Sequence, residues 1–100
     1  MADRELIDPL GRLVILHDRT WFGHILKAHP ELSDYYHLIP AAVIGPDEIK
    51  VSRADPGCRL YFLQSPKDGV RMVVVADLEE RVIKTAHLCR EVSGGKHEWP

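Results

Sequence analysis

Two hydrophobic periods divide the chain. In the first half, Trp21, His24, Ile25 and Ala28 fall at i, i+3, i+4 and i+7, on one face of a predicted helix. Asp18 or Thr20 can cap it, because a short side-chain oxygen accepts from the free backbone N–H groups of the first turn. Pro30 disfavours helical geometry at His29, so the helix should end there. Pro30 can also open the next helix, where its missing N–H costs nothing. That second helix runs through ELSDYYHL, is interrupted by Pro40, and stops at Gly45-Pro46, with AAVI as a further turn beyond a kink. Ahead of both, RLVILH (residues 12–17) is an apolar run of strand length, a short strand or a buried extended segment.

From residue 48 the period is two. EIKVSR alternates apolar and polar positions, and Asp55-Pro56-Gly57 is a turn, since Pro56 fixes its own φ and Gly57 tolerates φ > 0. CRLYFLQS, the turn SPKDG, VRMVVVAD, a short LEE connection and RVIKTAHLC follow. These segments predict an antiparallel meander. VRMVVV, apolar on both faces, would be an interior strand. The expected fold class is α+β: N-terminal helices packed on a four-stranded antiparallel meander sheet. Residues 1–11 read as a lead-in, 12–90 as a single domain and 91–100 as a polar tail that frays. Cys58 and Cys89 lie on strands that both flank VRMVVV. Two strand spacings, ~9.5 Å, exceed the ~5.5–6 Å Cα separation of a disulfide. Free thiols are expected.

Composition narrows the class without naming a function. One hundred residues suggest one domain, and 45% apolar with 28% charged residues is ordinary for a globular protein. The net charge of −2 argues against indiscriminate polyanion binding. No apolar run approaches the ~20 residues that span a bilayer, so no membrane partner is expected. MADRELIDPLG carries acids and does not read as a signal peptide. Two cysteines are too few for a disulfide scaffold, and a cytoplasmic location follows as the default.

Six histidines raise the question of a metal. A helical pair of ligands wants i and i+4. His24 and His29 are five apart, roughly 140° round the helix at 3.6 residues per turn, and no HExxH or CxxC exists. No metal or other cofactor is expected. There is no GxSxG, no cysteine beside an activating histidine and no glycine-rich phosphate loop ahead of a helix.

The strands carry more. Arg59 and Tyr61 share a face of theirs, and Thr85 and His87 share a face of theirs. If helices cover the opposite side, these four can converge with a helix histidine. Such a set suits metal-free RNA cleavage: imidazole exchanges protons near working pH, arginine holds the phosphate, and hydroxyls orient it. Each residue also has a plainer reading. Trp21 reads as core, and His24 can be a packed, hydrogen-bonded histidine. His29 can cap a helix C-terminus. Arg59, Tyr61 and Thr85 suit an ordinary strand. His17, His37 and His97 read as surface residues.

TWFGHILKAHPEL, then a helix, GPDEI, a strand with RLYF, the apolar VVVAD and a last strand ending VIKTAH resemble the phage-type barnase–EndoU–colicin–RelE-like nuclease domains. The likeness spans roughly residues 12–88. It implies an α+β fold with a four-stranded antiparallel sheet and metal-independent ribonuclease activity, often as a toxin or effector held by an antitoxin or immunity protein. It points to His24 and His29 in the helical motif, to Arg59 and Tyr61, and to Thr85. His87 stands where the family pattern carries an aromatic residue, usually tyrosine. Either His87 replaces a phenol as acid/base or the site is altered.

The functional expectation is an endoribonuclease acting by 2′-hydroxyl attack. His24, Arg59, Tyr61, Thr85 and His87 would be catalytic, and His29 and Arg59 would bind the substrate. A non-catalytic RNA-binding or protein-interaction domain on the same scaffold is the alternative.

Overall fold

The computed structural model describes residues 3–64, 69–90 and 95–100. Residues 65–68 of the expected turn SPKDG and the start of the tail, 91–94, lie outside these. The chain forms strands β1 (Arg4–Ile7) and β2 (Leu13–Leu16), a helical segment over residues 18–28, and a 3-10 turn at Pro30–Asp34. A second helix (Leu38–Ile44) follows, then β3 (Glu48–Val51), β4 (Cys58–Gln64), β5 (Arg71–Asp77), β6 (Val82–Cys89) and β7 (His97–Trp99).

All seven strands belong to one sheet, in the order β1-β2-β6-β5-β4-β3-β7. The sheet curls into a half-barrel, so the expected four-stranded meander under helices is incorrect. The meander strands β3–β6 are only the middle of it. The lead-in is half of a hairpin, with Arg4 opposite Leu16 and Ile7 opposite Leu13. Within the tail, His97–Trp99 form an edge strand, with Trp99 opposite Ile49. The hairpin turn is built by Asp8-Pro9-Leu10-Gly11. Asp8 Oδ1 accepts from the Leu10 and Arg12 N–H groups at 2.9 Å each, and Gly11 takes φ +82°. β2 meets β6 in parallel through Ile15 and Val82, and the Ile15 N–H donates to the Arg81 carbonyl at 2.8 Å.

The inner face of the sheet holds the core. Ile49, Tyr61, Val74 and Ala86 align across four strands. Trp21, Ile25, Leu32, Ile39 and Val43 from the helical segments pack on them with Leu6, Val14 and Leu16 from the hairpin. Each of the valine, leucine and isoleucine side chains among them, fully buried, is worth roughly 1.5–3 kcal/mol.

The helices differ from expectation in three ways. Residues Trp21–Ile25 form a π turn, with the Leu26 N–H donating to the Trp21 carbonyl. Bonding i to i+5 takes up extra chain, so i+3 no longer falls beneath i. Trp21 and Ile25 are buried, while His24 and Ala28 are exposed. The helix is also capped from outside itself. Asp3 Oδ1 accepts from the Asp18 N–H at 2.9 Å and Oδ2 holds His17 Nδ1 at 2.7 Å, which places an acid at the positive helix end. Pro40 lies in the first turn of the second helix rather than interrupting one, because first-turn residues need no intrahelical N–H bond. The break at His29 before Pro30 is as the sequence implies.

Cys58 and Cys89 are free thiols, as expected. They sit opposite Asp77 and Arg71, at the two ends of β5.

Gly95 admits β7 to the edge of the sheet. A Cβ there would fall on the Val51 carbonyl oxygen and against the Arg53 N–H, both backbone atoms that cannot yield. Gly95→Ala is therefore expected to detach β7 and lower the unfolding free energy by about 1–3 kcal/mol. Faster hydrogen exchange at Val51, whose N–H donates to the Lys96 carbonyl, would report the detachment; unchanged exchange and stability would contradict this role.

Candidate functional site

Two clusters contain most of the residues singled out in the sequence, and they lie on opposite faces of the sheet. The inner one is built around Asp8, a carboxylate at 3% exposure. Its Oδ2 accepts from the fully buried Tyr61 hydroxyl at 2.7 Å and from Arg12 Nε at 2.8 Å, in addition to the two backbone donors on Oδ1. Arg12 Nη2 continues to Glu98 Oε1 at 2.7 Å, and Arg59 Nε donates to Glu98 Oε2 at 2.9 Å. Arg59 Nη1 is held by the carbonyls of Pro56 and Cys58 at 2.7 and 3.1 Å.

The charges are mutually stabilised. Burial pushes the Asp8 carboxyl up, but hydrogen bonds from Tyr61 and Arg12 outweigh it and hold the group below the usual carboxylate range. Burial likewise opposes ionisation of Glu98, and Arg12 and Arg59 reverse the balance. Burial and the adjacent Asp8 raise the Tyr61 phenol well above its ordinary value. Tyr61 therefore stays protonated as a fixed donor, and Arg59 serves Glu98. Both are parts of a structural lock. Sequence reasoning missed Asp8, Arg12 and Glu98. The Asp-Pro-x-Gly turn was a readable sign of the hairpin, but nothing local marked its acid as a buried partner for Tyr61.

Thr85 and His87 face the other way. Val75 opposes Thr85 and Val73 opposes His87, whereas Tyr61 opposes Val74, which opposes Ala86. The cause is one bulge. Ala76 pairs with Ile83 and Val75 with Thr85, leaving Lys84 unpaired. Without that extra residue, Thr85 would oppose Val74 and share the face of Tyr61, since a one-residue slip exchanges faces. The expected single cleft containing Arg59, Tyr61, Thr85 and His87 does not form.

The outer cluster gains a residue from the helical segment. His29, at the break before Pro30, places its ring 5.8 Å from that of His87, with the planes inclined by 33°. His29 Nδ1 is 3.4 Å from Glu31 Oε1. His87 is half-buried; burial, then the neighbouring His29, holds its pKa below the ordinary 6.5. Its imidazole is therefore neutral at pH 7, with a lone pair to accept a proton. His24 belongs to neither cluster: it is exposed and makes no hydrogen bond or ion pair with another described residue.

Among the described residues no three His, Cys, Asp or Glu side chains converge to hold a metal ion. Among the described residues no helix is long and apolar enough to cross a membrane. No protein-family model, curated protein or solved structure matches this chain.

The lock assigns Tyr61 a cost that can be measured. Tyr61→Phe removes one donor from a buried, ionised carboxylate, which is expected to destabilise the fold by about 1–3 kcal/mol. Urea unfolding of the two proteins tests this, and equal midpoints would mean that the phenol contributes nothing to the lock.

Proposed function

We propose that the chain is a metal-independent endoribonuclease whose acid–base pair is His29 and His87. The observation that carries this reading is the approach of two imidazoles at 5.8 Å in unequal surroundings, one half-buried and held neutral, the other beside a carboxylate. His87 would take the 2′-hydroxyl proton, and His29 would protonate the leaving 5′-oxygen, giving a 2′,3′-cyclic phosphate. Thr85, two residues from His87 on the same face of β6, would orient the phosphate. Lys84, left unpaired by the bulge, and Arg71, on the same face of β5 as Val73, bring positive charge to this side of the sheet. In this reading the protein acts on RNA in the cytoplasm, as a toxin or effector restrained by an antitoxin or immunity protein.

A second reading has its own support. Arg59, the residue expected to hold the scissile phosphate, is engaged by Glu98. That favours a non-catalytic RNA-binding or protein-interaction domain on the same scaffold.

Cleavage of single-stranded RNA in EDTA separates the two. The wild-type protein is expected to release cyclic-phosphate ends, and His29→Gln and His87→Gln each to slow the reaction by roughly 10²–10⁴-fold. Because His87 must be neutral to act as base and its pKa is depressed, kcat/KM should rise with pH along a limb lying below the ordinary histidine value of about 6.5. A wild-type rate no higher than that of a variant carrying both His29→Gln and His87→Gln would rule out catalysis and leave the binding reading.

A further inference from the structure

A cavity of about 340 Å³ opens beside the hairpin turn, lined by Gly11, Arg12, Leu13, Leu78 and Arg81. It lies at the opposite end of β6 from His87, six residues or roughly 20 Å along the strand. Its lining contains two arginines and no acidic residue. The two are held in different ways.

Arg12 is pre-oriented. Its Nε and Nη2 are committed to Asp8 and Glu98, and its Nη1 has no acceptor among the described residues. Arg81 occupies a left-handed backbone, φ +60°, unusual for a residue with a Cβ. The fold uses that conformation, because the Arg81 carbonyl accepts the Ile15 N–H that joins β2 to β6. Glycine would satisfy the same backbone with less strain. The side chain found there is instead a guanidinium at the cavity wall, exposed and without an ion pair among the described residues.

We propose that this cavity is an oxyanion site, taking the phosphate group of a small phosphorylated molecule or free phosphate. Arg81 supplies a planar fork that matches two phosphate oxygens, and Arg12 Nη1 supplies a second, fixed donor. The charge balance agrees. Asp8, Arg12, Glu98 and Arg59 cancel within the lock, so Arg81 is the unbalanced charge at the wall. The volume falls at the low end of small-ligand pockets, about 300–1,000 Å³. The site is independent of the histidine pair.

Calorimetric titration of the full chain with sodium phosphate, against sodium chloride at matched ionic strength, tests the site, with Arg81→Gly as the variant. Glycine accepts the left-handed backbone, so the variant should melt no lower than wild type in chloride while binding phosphate at least tenfold more weakly. Saturable binding lost in the variant supports the site. Equal binding by both proteins, or none by wild type, overturns it. A nucleoside 5′-monophosphate in a parallel titration distinguishes the sources: binding tighter than that of phosphate assigns a phosphorylated molecule, and equal binding assigns the free ion.

Discussion

The fold depends on one buried carboxylate. In a flat sheet β2 and β7 would stand five strand spacings apart, roughly 24 Å. Yet Arg12, at the start of β2, reaches Glu98 on β7 at 2.7 Å. Only a curled sheet permits this, and Asp8 is what makes Arg12 a fixed strut. It holds the guanidinium, the hairpin turn and the Tyr61 hydroxyl with two oxygens. An ionised carboxylate buried without such donors would cost several kcal/mol. Here, among the described residues, no buried side-chain nitrogen or oxygen lacks a partner. The same contacts that offset its burial draw the two ends of the sheet together.

Curling also assigns the chemistry to faces. Inside, the polar groups are consumed by each other, and a tyrosine whose proton is held this firmly is a poor acid. Outside, the bulge at Lys84 turns Thr85 and His87 away from the core, and the helix break brings His29 to them. The core supports that meeting indirectly. Trp21 and Ile25 seat the helical segment through its π turn, and the segment ends at His29. The ring contact between Trp21 and Tyr36, with centroids 4.8 Å apart, ties the chain beyond the break to the same seat.

Strands β3 to β6 were legible because each is an apolar-rich run of strand length set off by short connections, and the helix end at His29 was legible because proline acts locally. The edge strands were not. β1 buries only Leu6 of its four residues and β7 buries none fully, so neither shows a hydrophobic pattern. Short, charged edges are what protects a sheet from further pairing. The inner lock was illegible for another reason: its partners are 53 residues apart for Asp8 and Tyr61 and 86 for Arg12 and Glu98. The pairing of residues within a strand was read correctly, 59 with 61 and 85 with 87. Whether the two pairs share a face depends on the register across β5, which a single extra residue inverts.

That inversion separates two kinds of polar centre that a sequence cannot distinguish. Both contain histidine, arginine or tyrosine at strand spacing, and the sequence reading joined them in one reactive set. A centre is reactive when a proton on it has somewhere to go. Tyr61 is at 0% exposure, and its proton is directed at an ionised acid whose affinity for it is low. His87 is only half-buried, and its depressed pKa leaves a lone pair without a proton. Burial acts on both groups in the same sense, favouring the neutral form. For a phenol that form is the donor, and for an imidazole it is the base. Burial thus makes a bolt of Tyr61, and it gives His87 the protonation state that general-base chemistry requires.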